Sequence, residues 1–269
     1  MMMKASYDLP KIPSFSNGLP VYFLTGKKFI YQTLFCAYSL VKHSKEIFQF
    51  ILVDDGSFDD KDIVHLQIKM PHAKLVLKEE IAQNLQKILP VKKFPFLHHK
   101  RKVYPHIKKL TDIHTLQDNP YKIVLDSDML FWKEPEEIIE WLKKPNNSIY
   151  MLDCEESYGY SRELMFQLCG HQVPELMNVG AIGFSSKIIN WEILEKWGST
   201  LEQKEGTSYY LEQALTAMLI AGQHSEILNK KDYIVNPSPE QIKNTEGILH
   251  HYVDLSKEGY FKTAWKKIH

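Results

Sequence analysis

Short apolar runs that alternate with helical periods through the first half of the chain leave few folds open to it. Residues 21–25 (Val-Tyr-Phe-Leu-Thr) read as a buried strand. After Gly26, apolar residues at Phe29, Ile30, Leu34, Ala37, Tyr38 and Val41 keep helical spacing to about His43. Residues 48–53 form a second strand and residues 73–77 a third, with a short helix between them. Ile123, Val124 and Leu125 make a further apolar run suited to a central strand. Repetition of strand, turn and helix predicts an α/β fold with a mainly parallel central sheet flanked by helices, because parallel neighbours need a crossover connection.

Further along, the pattern predicts a helix over residues 105–117 and another opening at Glu134-Pro135-Glu136-Glu137, with proline early and acids in the first turn. Strands follow at residues 148–152, ending at Asp153, and at 179–184, then helices at about 187–197 and 208–221. With 269 residues, 44% of them hydrophobic, one ample core is affordable. No repeat or low-complexity linker divides the chain. A single domain over residues 1–269 is expected, with two halves at about 20–132 and 133–269.

Lys+Arg and Asp+Glu balance at 33 each, so no global field favours nucleic acid, and an anion site must be local. Cys36, Cys154 and Cys169 are scattered and odd in number, which argues against a disulfide framework and fits a reducing, cytoplasmic location. Residues 1–20 lack the features of a signal or transit peptide, and the longest apolar stretch, residues 29–41, is too short to span a bilayer. Residues 90–105 carry Lys92, Lys93, His98, His99, Lys100, Arg101 and Lys102 among aromatic residues. A solvated loop is the plain reading; a flexible lid or a contact to an anionic acceptor, including a peripheral membrane surface, is the sharper one.

Asp126-Ser127-Asp128 closes the run at residues 123–125, at the C-terminal end of a strand, where open α/β sheets place ligands. Residues i and i+2 of an extended segment point the same way, so both carboxylates face one ion. Oxygen ligands of this kind suit Mg²⁺ or Mn²⁺ with positions open for substrate phosphates. Strand-end turns and helix caps also use Asp and Ser, so the motif takes its meaning from its companions.

Those companions resemble the motifs of a GT-A glycosyltransferase, the nucleotide-diphospho-sugar transferase fold, most closely the retaining branch that includes glycogenin and bacterial lipooligosaccharide galactosyltransferases. The resemblance spans about residues 21–257 and implies that the half at about 20–132 binds nucleotide and the half at about 133–269 binds sugar and acceptor. It implies that Thr25 and Phe29, the latter in place of the usual Tyr, hold the nucleotide base, and that Asp54 or Asp55 reads base or ribose; a plain Asp-Gly-Ser turn is the competing account of that pair. It implies that Lys109 reaches the donor, with Ser127 among the donor contacts. Asn178-Val179-Gly180 matches the family's Asn-Ser-Gly turn at the donor sugar, and Glu212-Gln213 matches an Asp-Gln pair beneath the sugar.

In the tail, the resemblance implies a metal-binding His251 followed by a diphosphate-binding Lys257 at the family's spacing, with His250 as the alternative ligand. Asp254 stands where the family has glycine, and Glu258-Gly259 replaces a Pro-Trp pair. A nitrogen ligand beside Asp126 and Asp128 leans toward Mn²⁺ over Mg²⁺. The implied activity is metal-dependent transfer of a hexose from a nucleoside-diphosphate sugar, with UDP as carrier, to a saccharide, lipid-linked or protein acceptor, with retention of configuration. Three alternatives remain. An inverting enzyme would use a base among Asp153, Glu155 and Glu156. An Asp-x-Asp phosphohydrolase, or a domain that binds nucleotide or sugar without turnover, are the others.

Overall fold

Along the first strand, β1 (Leu19–Thr25), side chains alternate between two apolar layers: Val21 and Phe23 belong to one core, Tyr22 to the other. β2 (Phe48–Asp54) repeats the division, with Phe50 and Leu52 on the first face and Ile51 and Val53 on the second. A strand whose two faces are both covered is apolar throughout, which is why these segments read as continuous hydrophobic runs. The computed structural model describes residues 1–268.

The other strands are β3 (Lys74–Val76), β4 (Tyr121–Leu125), β5 (Met129–Phe131), β6 (Ser148–Leu152), β7 (Met177–Ser185), β8 (Ser225–Ile227), β9 (Tyr233–Val235) and β10 (Leu249–His251). Seven of them form a sheet in the order β3-β2-β1-β4-β7-β6-β8. The first four run parallel, as the alternation of strand and helix requires. β7 is antiparallel to both of its neighbours, β4 and β6. The reversed strand sits beside the strand that carries Asp126, so the middle of β7 is delivered to the same edge as the carboxylates. A smaller sheet, β5-β10-β9, pairs His251 with Met129 and closes over that edge.

Three expectations need correction. Residues 90–105 are not a loop: helix Pro95–Val103 opens on a proline, buries Leu97 and Lys100, and packs on helix Trp191–Glu205. Two of the segment's charges are spent in the interior and a third in a surface pair. Lys100 makes a close ion pair with Glu202, Arg101 grips Asp112 with two nitrogens, and Lys93 pairs with Glu192. The helix expected over 105–117 is a short 3-10 turn, Pro105–Ile107, followed by a π-helical turn, Lys109–Ile113. Such turns carry an irregular backbone that recurs at functional sites. The helix expected at 187–197 runs instead from Trp191 to Glu205, after an Asn190 cap. Among the described residues, no helix is long and apolar enough to cross a membrane.

Candidate active site

The turn that follows β4 is fastened on both flanks. Asp126 N–H donates to Gly180 O (2.7 Å) on β7, and Asp128 O accepts from Tyr252 N–H (2.9 Å), just past β10. These bonds hold the carboxylates of Asp126 and Asp128 toward the C-terminal edge of the sheet, where His251 joins them. One ligand atom from each of the three residues lies within 4.8 Å of the others. His251 Nε2 is 3.4 Å from Asp128 Oδ1 and 3.7 Å from Asp126 Oδ2.

The choice between the two histidines follows from strand geometry. Neighbours on β10 point to opposite faces, so His250 turns into the core, where Nε2 meets Glu246 O at 2.6 Å and the ring packs on Trp132. Burial pushes the His250 pKa down to about 4. His251 behaves differently. Burial alone would lower its pKa, but contact with Asp128 and the nearby Asp126 outweighs that and raises it. Burial acts to raise the Asp128 pKa, and the His251 contact overrides it to give a net lowering. Two carboxylates and an imidazole turned toward one point fit a divalent cation in donor type and number.

Positive side chains flank the cluster. Lys109, at the start of the π-helical turn, buries its stem and places Nζ 2.6 Å from Asp126 Oδ1 and 3.9 Å from Glu212 Oε2. Burial opposes its charge, while Asp126 and Glu212 sustain it and raise its pKa overall. Lys257 lies on the opposite side, half exposed, with Nζ 3.9 Å from Asp128 Oδ2. Asp254, three residues before it, has φ +44°, a left-handed backbone that glycine adopts far more readily.

The cleft around the cluster is about 800 Å³. At one end are Thr25, Gly26, Phe29, Asp55 and Ser57. Phe29 is 47% exposed at the start of helix Ile30–His43, with its ring free to stack. Asp55 lies across Gly26, where any side chain would collide with its carboxylate, a Cβ at position 26 falling 2.0 Å from Asp55 Oδ2. Asp54 is placed otherwise. It is 2% exposed, and its Oδ1 accepts from the N–H groups of Gly56, Ser57 and Phe58, so it shapes the turn and does not reach the cleft. Of the two aspartates proposed from the sequence, only Asp55 lines the cleft.

Thr33 supplies a link that sequence inspection missed. Its buried hydroxyl lies 2.7 Å from Thr25 Oγ1 and 2.8 Å from Ser127 Oγ, joining the end of β1 to the centre of the Asp-x-Asp turn. A threonine four residues after Phe29 inside an apolar helix carries no distinguishing signal in the sequence.

At the other end of the cleft, Glu212 and Gln213 open helix Leu211–Ile220. Burial, reinforced by Asp126 and opposed by Lys109 and Thr216, lifts the Glu212 pKa to about 7. Gln213 Nε2 donates to Ser157 O (2.9 Å). Tyr104, His106, Tyr209 and Tyr210 form a partly exposed aromatic rim above them, also unforeseen, with the His106 and Tyr209 ring centres 4.9 Å apart. Asn178 reaches both His251 and Asp153. Of the three acids considered as bases, Asp153 and Glu155 line the cleft, whereas Glu156 is engaged by Arg162.

No protein-family model matches the chain, and no curated protein matches it in sequence. Solved structures do match. LgtC galactosyltransferase, solved in complex with donor and acceptor sugar analogues, superposes with a TM-score of 0.59 at 14% identity over 93% of each chain. The apo bifunctional glycosyltransferase WbbM gives 0.57 at 12% identity, covering 96% of this chain and 52% of its own; the present chain thus spans about half its length. Mouse xyloside xylosyltransferase 1 gives 0.53 at 14% identity over 89% of this chain and 97% of its own. The chain has a GT-A-like glycosyltransferase fold resembling that of LgtC.

Proposed function

We propose that this chain is a metal-dependent glycosyltransferase that moves a hexose from a nucleoside-diphosphate sugar, with UDP as carrier, to an acceptor with retention of configuration. The observation that carries the proposal is the convergence of Asp126, Asp128 and His251 in one cleft whose wall also holds the exposed ring of Phe29 on one side and the buried polar side chains of Glu212 and Gln213 on the other. A long, charged ligand with a base, a diphosphate and a sugar matches that order. The glycosyltransferase fold agrees with it.

In this reading Phe29 stacks on the base, Asp55 accepts from base N–H or ribose O–H groups, and Thr25 and Ser127 close the nucleoside side. Asp126, Asp128 and His251 would hold Mn²⁺ or Mg²⁺, which when bound offsets charge on diphosphate oxygens. Lys257 and Lys109 add positive charge on either side, where the leaving group becomes more negative. Glu212 and Gln213 orient the sugar from beneath. The acceptor enters past the aromatic rim of Tyr104, His106, Tyr209 and Tyr210. With donor and acceptor on one face, the leaving phosphate takes the acceptor proton, and no protein base is required.

An inverting reaction is the second reading, favoured by Asp153 and Glu155 in the cleft. Asp153 is already engaged as an acceptor by Asn178 Nδ2 (2.9 Å) and Cys154 N–H (2.8 Å), which weakens it as a base. Nuclear magnetic resonance of the first-formed product from an α-linked donor tests the stereochemistry. An α-glycoside agrees with retention, and a β-glycoside moves the case to the inverting reading. Transfer should stop in chelator and in Asp128→Asn with the fold intact; full activity of that variant in chelator would remove the metal from the proposal.

A further inference from the structure

The bulge in β7 has a geometry that serves His251. Opposite β6, Tyr150 pairs with Ile182 but its neighbour Met151 pairs with Asn178, so Val179, Gly180 and Ala181 bow out of the β6 ladder. A bulge of this kind re-aims side chains. Here it brings Asn178 and Gly180 against the imidazole.

The orientation of the Asn178 amide is fixed by its partners. Oδ1 accepts from Gly180 N–H (2.9 Å) and faces His251 Nδ1 (3.1 Å), while Nδ2 donates to Asp153 Oδ2 (2.9 Å). Turning the amide over would set its NH₂ against the Gly180 N–H and its oxygen against the Asp153 carboxylate, two repulsive contacts at once. The Asn178 oxygen is therefore toward His251, and Nδ1 must carry the proton. Nε2 is left turned to Asp126 and Asp128. Gly180 completes the seat: a Cβ there would lie 2.4 Å from His251 Cε1 and 2.5 Å from Nδ1, and its carbonyl already holds the Asp126 N–H.

We infer that Asn178, anchored by Asp153, and Gly180 are positioning residues that seat His251 with Nδ1 protonated and Nε2 free to coordinate. The inference rests on the metal site proposed above. It gives Asn178 a role beyond contact with the donor sugar, for which one amide hydrogen remains. A partner on the far nitrogen fixes the ring and its tautomer, and losing such a partner typically weakens metal binding by about 10–100-fold.

The test measures Mn²⁺ binding directly, by the loss of the free-ion electron paramagnetic resonance signal, alongside thermal unfolding. Asn178→Ala is expected to weaken Mn²⁺ binding by roughly 10–100-fold while the protein stays folded. The swap Asn178→Asp with Asp153→Asn keeps an oxygen toward Nδ1 and restores the bond to position 153, and it should bind Mn²⁺ within a few fold of wild type. Nitrogen-15 spectra of the Mg²⁺-loaded protein should show the His251 proton on Nδ1. Wild-type affinity in Asn178→Ala, an equal loss in the swap, or a proton on Nε2 overturns the inference. A wild-type protein that takes up no Mn²⁺ would remove the underlying metal site as well, and so is told apart from a failure of the seat alone.

Discussion

Lys109 Nζ sits 2.6 Å from Asp126 Oδ1 and 3.9 Å from Glu212 Oε2, so one buried ammonium ties the Asp126 carboxylate to Glu212 at the head of helix Leu211–Ile220. Its π-helical turn makes this possible by setting the stem inward where a solvent-facing lysine would be the norm.

Removing that charge should cost stability before it costs anything else. Lys109→Met leaves Asp126 and Glu212 without their shared partner, and breaking a buried ion pair from one side costs about 3–5 kcal/mol. Urea unfolding in chelator measures the loss. Mn²⁺ should recover more stability in the variant than in wild type, because it returns positive charge beside Asp126. An unchanged midpoint in chelator would contradict the bridging role.

With its pKa raised by burial, Glu212 should make the stability of the metal-free protein fall as the pH rises. Its folded pKa of about 7 lies above the ordinary value of 4.5, so between these limits the folded state holds more proton than the unfolded chain. The contribution is intact below about pH 4.5 and lost as the pH rises through 7. Glu212→Gln removes the charge and should gain stability relative to wild type on going from pH 5 to pH 8, on the order of 3 kcal/mol. Paired unfolding curves at those two pH values, in chelator, check it. A difference that does not change with pH would contradict the raised pKa.

Neighbouring aspartates should separate cleanly. Asp54→Ala strands the Gly56 and Phe58 N–H groups, since Ser57 N–H keeps Asp55 Oδ1 as a partner, and should cost about 1–3 kcal/mol of stability. Asp55→Ala gives up only a bond from the Ser57 N–H, which Asp54 also accepts, so it should cost less stability than Asp54→Ala while weakening UDP binding. Phe29→Ala should weaken UDP binding by about 1–3 kcal/mol if base stacking here matches that on nucleic-acid platforms. Calorimetry with UDP and Mn²⁺ reads both, and unchanged affinity in Phe29→Ala would remove that ring from the nucleoside site.

The basic helix Pro95–Val103 should respond as a structural element. Lys100→Met leaves Glu202 uncompensated between two helices, where Lys100 is 5% exposed, and should destabilise by about 3–5 kcal/mol. Donor binding per folded molecule should stay as in wild type. A selective loss of acceptor use with unchanged stability would return the segment to the role of a lid.

How much was legible beforehand depended on how local each cause was. Strands β1, β2 and β4 and the helix after β1 could be read from the sequence because burial on both faces of a strand, or on one stripe of a helix, writes a period into consecutive residues. Asp126 and Asp128 were legible for the same reason: they end such a run, and two residues of extended chain set their direction. Thr25 and Phe29 came from the resemblance alone, and in the structure both line the cleft. The basic segment misled because a lysine paired in the interior and a lysine in water look alike in sequence. Asp54 and Asp55 could not be separated, since which of two adjacent carboxylates closes a turn depends on backbone angles at Gly56 and Ser57. His250 and His251 were left as alternatives until the pairing of β10 with β5 fixed which face each occupies. Thr33, the seat formed by Asn178 and Gly180, and the aromatic rim arise from contacts between residues tens to more than a hundred positions apart. The sequence by itself determined the kind of fold and the place of the carboxylates, because short-range periodicity encodes both. Tertiary structure alone decided which polar side chains share one cleft, because burial, register and the reversed β7 act between segments that carry no mark of one another.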